Sequence, residues 1–332
     1  MRGNMSWSKK TSKILGLACV MSLFLAGCGD DSSNPSKVTA NSTESSASKE
    51  SSDKTTSSSK VPDAPQGADS ALVALIDYNI NPAKINLSVK PDTSGFYDIG
   101  EVYKAVSAES KIVFVLRHAE RESDVGKESK LTAVGVQQAI DVGKKLSGGD
   151  KSFYYASTDY VRTRETALNI AKGRGESAEV VTWDAINGGY FLTISSDSLD
   201  ELTSGRGGSL GYVAQWAFGD PFTNKYLREH GIADCFYDLF ERGNQFVREV
   251  ILANLPKWKR VNVLISHDLL LEPLAVYAAA RNIDLNVEKT YHWINYVAGI
   301  AIIEDASGLV TLLPVRGTES GALNTREAYG NK

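Results

Sequence analysis

The sequence is poor in the residues that staple or metallate a domain. Only three of its 332 residues are cysteine (Cys19, Cys28 and Cys235) and only four are histidine (His118, His230, His267 and His292). So few cysteines exclude a dense disulfide framework, and no His/Cys spacing has the pattern of a metal site. The fold must therefore be held by apolar packing, and 42% hydrophobic content in a chain of this length is enough for a real core. Basic residues are not in excess, 36 Lys and Arg standing against 40 Asp and Glu. That balance argues against a nucleic-acid partner. The apolar run at 14–25 is too short to cross a bilayer as a helix.

That run has a distinctive setting. Arg2, Lys9, Lys10 and Lys13 precede it, and Leu25-Ala26-Gly27-Cys28 closes it. The arrangement resembles a bacterial lipoprotein signal: residues 1–27 would be removed and Cys28 would carry lipid, anchoring the chain to the extracytoplasmic side of a membrane. Cys19 would then be lost and Cys28 capped, leaving Cys235 without a partner. Loss of the four positive charges would leave 32 basic against 40 acidic residues, a balance of −8. Residues 28–67 are dominated by Ser, Thr, Lys, Asp and Glu, too polar to offset their ordering entropy. They read as a tether with a reach of roughly 30–40 Å.

From 68 to 332 strand-like and helix-like signals alternate. Runs at 112–116, 153–156, 180–183, 261–265, 298–303 and 310–315 are rich in β-branched and aromatic residues. Between them, Val136, Ala139, Ile140, Gly143 and Leu146 mark one helical face, and Phe236, Leu239, Phe240, Val247, Val250 and Ile251 another. This predicts a layered α/β domain around a mainly parallel sheet, with functional groups at the strand C-termini. The stretch 187–234 fits neither period; glycines alternate there with aromatics such as Trp216 and Phe222, which suggests an insertion over the site.

Two of the four histidines directly follow apolar strands, in Val115-Leu116-Arg117-His118 and Leu264-Ile265-Ser266-His267. In a parallel sheet both emerge at one edge. A neutral imidazole can attack phosphorus in line if the equatorial oxygens are matched by cations and the leaving oxygen is protonated. Arginine suits the first task because its planar fork binds two oxygens and stays charged. Arg117 and Arg121 are local candidates, and Arg162 lies just past another strand, at a helix start that Asp159 would cap.

These residues carry a family resemblance. Arg117-His118-Ala119-Glu120-Arg121 resembles the Arg-His-Gly signature of the histidine phosphatase superfamily (phosphoglycerate-mutase-like), with Ala119 in place of the usual glycine. Leu131-Thr132, Gly135 and Gln138-Ala139 are similar to its Leu-Thr-x-x-Gly-x-x-Gln-Ala element, Arg162 with Thr166-Ala167 to its Arg-x-x-x-Thr-Ala element, and Ser266-His267-Asp268 to its second-histidine motif. The resemblance covers about residues 110–315. It implies a three-layer α/β/α domain with a mainly parallel sheet, with the irregular segment at about 185–234 as a possible cap. It further implies His118 as nucleophile, Arg117, Arg162 and His267 as the phosphate pocket, and no cofactor or metal. Arg121 occupies the place of a further phosphate-binding arginine in the acid-phosphatase branch, although pairing with Glu120 or Glu122 would suit it too. Asp268 stands where that branch places its proton donor. In the mutase-like branch the acid comes from a later segment, where this chain has Glu176, Asp184 and Asp220. The expectation is an exported phosphomonoester hydrolase acting on a small-molecule or envelope substrate; a phosphate-binding protein without turnover and a phosphomutase are the alternatives. His292 reads as a packing or pocket-edge residue, while His230 and Arg164 read as structural or surface groups.

Overall fold

A computed structural model of the chain describes residues 88–329, apart from 125, 206–207, 220–224 and 226. The signal, the tether, Cys28, Asp220 and Phe222 lie outside the described residues. The strands are β1 (Tyr97–Asp98), β2 (Lys111–Arg117), β3 (Tyr154–Ser157), β4 (Val180–Thr182), β5 (Val261–Ser266), β6 (His292–Ile294), β7 (Gly299–Glu304), β8 (Val310–Arg316) and β9 (Ala322–Asn324). Seven of them form one sheet in the order β1-β8-β7-β2-β5-β3-β4, while β6 and β9 make a separate antiparallel ribbon. Four of the six pairings in the large sheet are parallel, and β7 runs against both neighbours. All six expected strands are present.

Helices cover both faces, so the central strands are apolar at nearly every position instead of alternating. The helices α1 (Ile99–Ala105), α2 (Ala133–Lys145) and α3 (Val161–Arg174) pack Ile99, Val142 and Ile170 against Ile112, Phe114, Leu116 and Val263. On the other face Val113, Val115 and Leu264 meet a larger core. It is built from α4 (Ser196–Thr203), α5 (Ser209–Phe218), α6 (Leu239–Gln245) and α7 (Asp268–Ala278). The α2 and α3 backbones touch at Gly143 and Gly173: a Cβ on either would fall 2.1 Å from a carbonyl oxygen of the opposite helix. Such contact requires glycine at both positions.

The structure differs from expectation in three places. The stretch 187–234 is largely helical: Ser195 accepts the Ser198 N–H to cap α4, and α5 ends at Gly219 in the left-handed conformation. Asp159 does not cap α3; the N-cap is Tyr160, without a side-chain cap bond, and Asp159 instead accepts from the Lys127 ammonium. The helix expected around 236–251 changes at α6's end into a π-helical segment, Phe246–Leu252. Among the described residues no helix is long and apolar enough to cross a membrane.

Candidate active site

The register of three neighbouring strands places the site. In the parallel pairs β2/β5 and β5/β3, Arg117 stands opposite Ser266 and Ser157 opposite Ile265. The next residues, His118, His267 and Thr158, therefore leave the sheet side by side at its C-terminal edge. Arg117, His118, Arg162, His267 and Asp268 are all buried, at 1–7% exposure, and the two imidazole centroids lie 5.7 Å apart. Thus the structure brings these five expected site residues together.

Hydrogen bonds assign the tautomers. His118 Nδ1 lies 2.8 Å from Ala119 O. A carbonyl only accepts, so Nδ1 carries the proton and Nε2 keeps its lone pair. His267 shows the same logic with its own partners: Arg162 Nη2 donates to Nδ1 at 3.3 Å, so Nε2–H donates to Thr158 Oγ1 at 2.9 Å. Burial, reinforced by the Arg117 and Arg162 guanidiniums, holds the His118 pKa well below its ordinary value. Burial and then Arg162 do the same to His267. Both rings are therefore neutral at neutral pH, His118 with an unprotonated Nε2 and His267 with its Nε2–H held by Thr158 Oγ1.

The arginines are locked from several sides. Arg117 Nη1 donates to Ile294 O at 2.6 Å, Nη2 pairs with Asp268 Oδ2 at 3.0 Å, and the guanidinium lies 4.3 Å from the Tyr296 ring centre. Arg162 Nη1 donates to Gly126 O, and its guanidinium lies 4.4 Å from the Tyr160 ring, which itself packs edge-on to His267. Pre-set guanidiniums of this kind bind a tetrahedral oxyanion without first being ordered.

The remaining motif residues support the loop that carries His118. Ala119 N–H donates to Thr166 Oγ1 and Glu120 N–H to Gln138 Oε1, each at 3.0 Å. Thr132 Oγ1 donates to Glu120 Oε1 while accepting from Gly135 N–H at the start of α2. A Cβ on Gly135 would meet Glu120 O at 1.9 Å, so only glycine lets the helix sit this close. Conformational choice in the His118 loop is thus removed by groups from α2 and α3.

The geometry qualifies two expectations. Arg121 Nη1 donates to Glu122 O and Asp124 O, tying its own loop, while its charge still acts on His267 and Asp268. Asp268 is not poised as a resting proton donor. Burial works to raise its pKa, but the Arg117 guanidinium and the Trp293 indole N–H outweigh that and hold it below the usual carboxylate range. Among the other acids, Glu176 binds Arg174 and the Tyr155 hydroxyl at the opposite end of β3. Asp184 is exposed on a 3-10 turn, Asp184–Ile186, fastened to the end of β5 by Ser266 Oγ donating to Ile186 O. Gly188, just beyond, backs onto His267.

His292 pairs with Asp284 at 2.8 Å and His230 is exposed, neither at the site. Trp216 stacks on Phe236 and donates to Tyr237 O, just past the insertion's end. Sequence reasoning passed over Thr158, Tyr160, Trp293 and Tyr296. The first two sit in the run after β3 that held Arg162, and proximity to that arginine was the available signal. No group of three or more His, Cys, Asp or Glu among the described residues could hold a metal.

A model of the histidine phosphatase superfamily (branch 1) matches residues 113–305, a span that includes His118, Arg162 and His267. No curated protein matches the chain. Solved structures similar to it include phosphoglycerate mutase from Bacillus anthracis str. Sterne, at 18% identity and TM-score 0.39 over 62% of this chain and 93% of that one. Mycobacterial glucosyl-3-phosphoglycerate phosphatase is similar at 15% identity and TM-score 0.39 over 63% and 100%. A phosphoserine phosphatase mutant from Entamoeba histolytica, complexed with phosphoserine, is similar at 15% identity and TM-score 0.36 over 61% and 94%.

Proposed function

The chain belongs to the histidine phosphatase superfamily, and from that membership and the site geometry we propose that it hydrolyses phosphomonoesters through a phosphohistidine at His118. The observation that carries this reading is the His118 ring: Nδ1–H is bound to Ala119 O, so Nε2 is left to attack between two buried guanidiniums and a donor imidazole. In the first step the Nε2–P bond forms, the ester P–O bond breaks, and an acid protonates the leaving oxygen. In the second, water attacks phosphorus, the P–N bond breaks and inorganic phosphate leaves. Arg117 and Arg162 match the negative charge of the transferring group, and the His267 Nε2–H joins them on exchanging Thr158 Oγ1 for a phosphoryl oxygen.

Asp268, as the ionised partner of Arg117, orients that guanidinium. The donor role falls to Asp184, an exposed acid on the turn clamped to the β5 terminus beside His267. The N-terminal pattern supports an exported, lipid-anchored enzyme whose substrate is a phosphate ester met outside the cytoplasm, with Cys28 as the lipidation site.

The test is turnover of para-nitrophenyl phosphate. His118→Ala should lower kcat by at least about 10³-fold, in line with loss of a covalent nucleophile. Asp184→Asn should lose about 10²-fold or more on alkyl phosphates and much less on the activated aryl ester, which needs little protonation. Equal turnover by wild type and His118→Ala would sink the reading. A larger leaving-group dependence in Asp268→Asn than in Asp184→Asn would return the donor role to Asp268.

A further inference from the structure

Two carboxyl groups lie one turn apart on α7, and the chemistry above uses only the first. Glu272 is completely buried. Its Oε2 accepts the Ile294 N–H at 2.9 Å, while Oε1 has no hydrogen-bond partner among the described residues. Across the same residue, Ile294 O receives Arg117 Nη1 at 2.6 Å. Arg117 Nη2 meets Asp268, which also takes the Trp293 indole N–H at 3.3 Å. Strand β6 is therefore gripped twice by α7, by Asp268 through a side chain and by Glu272 through the backbone, and both grips end on Arg117.

Charge decides the state of each acid. Arg117 is the cation facing both, and it is in contact with Asp268; a second buried anion one turn away would be uncompensated. Burial, opposed by the Ile294 N–H and reinforced by Asp268, accordingly pushes the Glu272 pKa well above the ordinary carboxyl range. Glu272 is a neutral acid whose carbonyl oxygen accepts from a peptide N–H. Leucine would fill this place without stranding a polar oxygen, so the carboxyl contributes something that packing does not.

We propose that Glu272 is a positioning residue for phosphate binding: it fixes the Ile294 peptide, whose carbonyl aims Arg117 at the phosphoryl group taken up by His118. This rests on the hydrolase reading above. Glutamine can supply the same acceptor without charge, whereas leucine leaves the Ile294 N–H unsatisfied and the peptide free to turn.

The experiment compares wild type, Glu272→Gln and Glu272→Leu as full chains, in para-nitrophenyl phosphate turnover, competitive inhibition by inorganic phosphate, and melting temperature. The Leu variant should lose about ten- to a hundredfold in kcat/KM, the span expected for a buried hydrogen bond left unmade. Its phosphate inhibition constant should rise in parallel, while Gln stays within about threefold of wild type. Leu turning over like wild type, Gln falling as far as Leu, or lost turnover that follows melting temperature with phosphate inhibition unchanged would each overturn the proposal. Should the Leu variant not fold, Glu272→Met takes its place and the Gln arm still decides. A wild type without turnover would count against the hydrolase reading instead, and protection of the melting temperature by inorganic phosphate would then report on Glu272.

Discussion

Both edges of the central sheet carry arginines held by several hydrogen bonds, and the partners of the two sets differ. At the edge where β2, β3 and β5 begin, Arg260 forks onto Asp150 through Nε and Nη2 at 2.8 and 2.6 Å, and its Nη1 donates to Ser107 O and Ser110 O. Arg174 there pairs with Glu176 at 2.9 Å and donates to the Leu146 and Asp150 carbonyls. Each guanidinium meets a carboxylate. At the opposite edge Arg117 pairs with Asp268, and the contacts of Arg162 include the Gly126 carbonyl and the His267 imidazole. The first edge is closed by charge matching; on the hydrolase reading proposed above, the second keeps its guanidiniums placed for the phosphate of a substrate.

The sharpest way to break this comparison is to remove one arginine from each edge. Arg162→Ala should lower kcat/KM by about 10²- to 10³-fold, the range for a pre-set electrostatic contact to a transferring group, a loss beyond what any change in melting temperature from its missing contacts accounts for. Steady-state kinetics beside a thermal melt would check both. Arg260→Met should do the reverse. It strands Asp150, whose pKa the Arg260 fork holds low, in a partly buried place. A loss of about 1–3 kcal/mol would lower the melting temperature by about 3–8 °C in a domain of this size, with kcat/KM within about twofold of wild type. If Arg260→Met impaired turnover as much as Arg162→Ala, the division between edges would fail.

The sequence carried the working edge better than the rest because its signal is local. An apolar run that stops at Arg117-His118 or Ser266-His267 marks a strand end directly, and parallel register does the rest. Motif spacing likewise marked Thr132, Gly135, Gln138 and Thr166, whose contacts all converge on the His118 loop. What could not be read depends on neighbours distant in sequence. The strands β1, β6 and β9 span two or three residues, too few for a period, yet β6 supplies the carbonyl that holds Arg117. The ionisation of Asp268 and Glu272 follows from one shared arginine 155 places or less away in sequence but adjacent in space, and nothing in the spacing of two acids on a helix tells which is charged. Arg121 shows the opposite limit: a motif position names the residue, but not that its Nη1 also ties its own loop at Glu122 O and Asp124 O.

The smallest of the expected effects separates the edges by pH. His118 and His267 are neutral in the folded protein because their pKa values are depressed, whereas in the unfolded chain they titrate near 6.5. As pH falls below about 6.5 the unfolded state gains protons that the folded state refuses, so stability is lost by up to about 1.4 kcal/mol per pH unit for each ring. Glu272, with its raised pKa, acts in the opposite sense, losing stability as pH rises from about 4.5. The Asp150 contribution of the other edge is lost only below about 4, where its unfolded carboxyl takes up a proton. The difference between variants isolates one group from this sum. His267→Gln should gain melting temperature relative to wild type as pH is lowered from 6.5 to 4.5, by about 3–6 °C per pH unit at most. Asp150→Asn should show a constant offset over the same interval. A His267→Gln offset that did not grow toward acid pH would mean that His267 is protonated in the folded protein, and the neutral donor role assigned to it would have to be withdrawn.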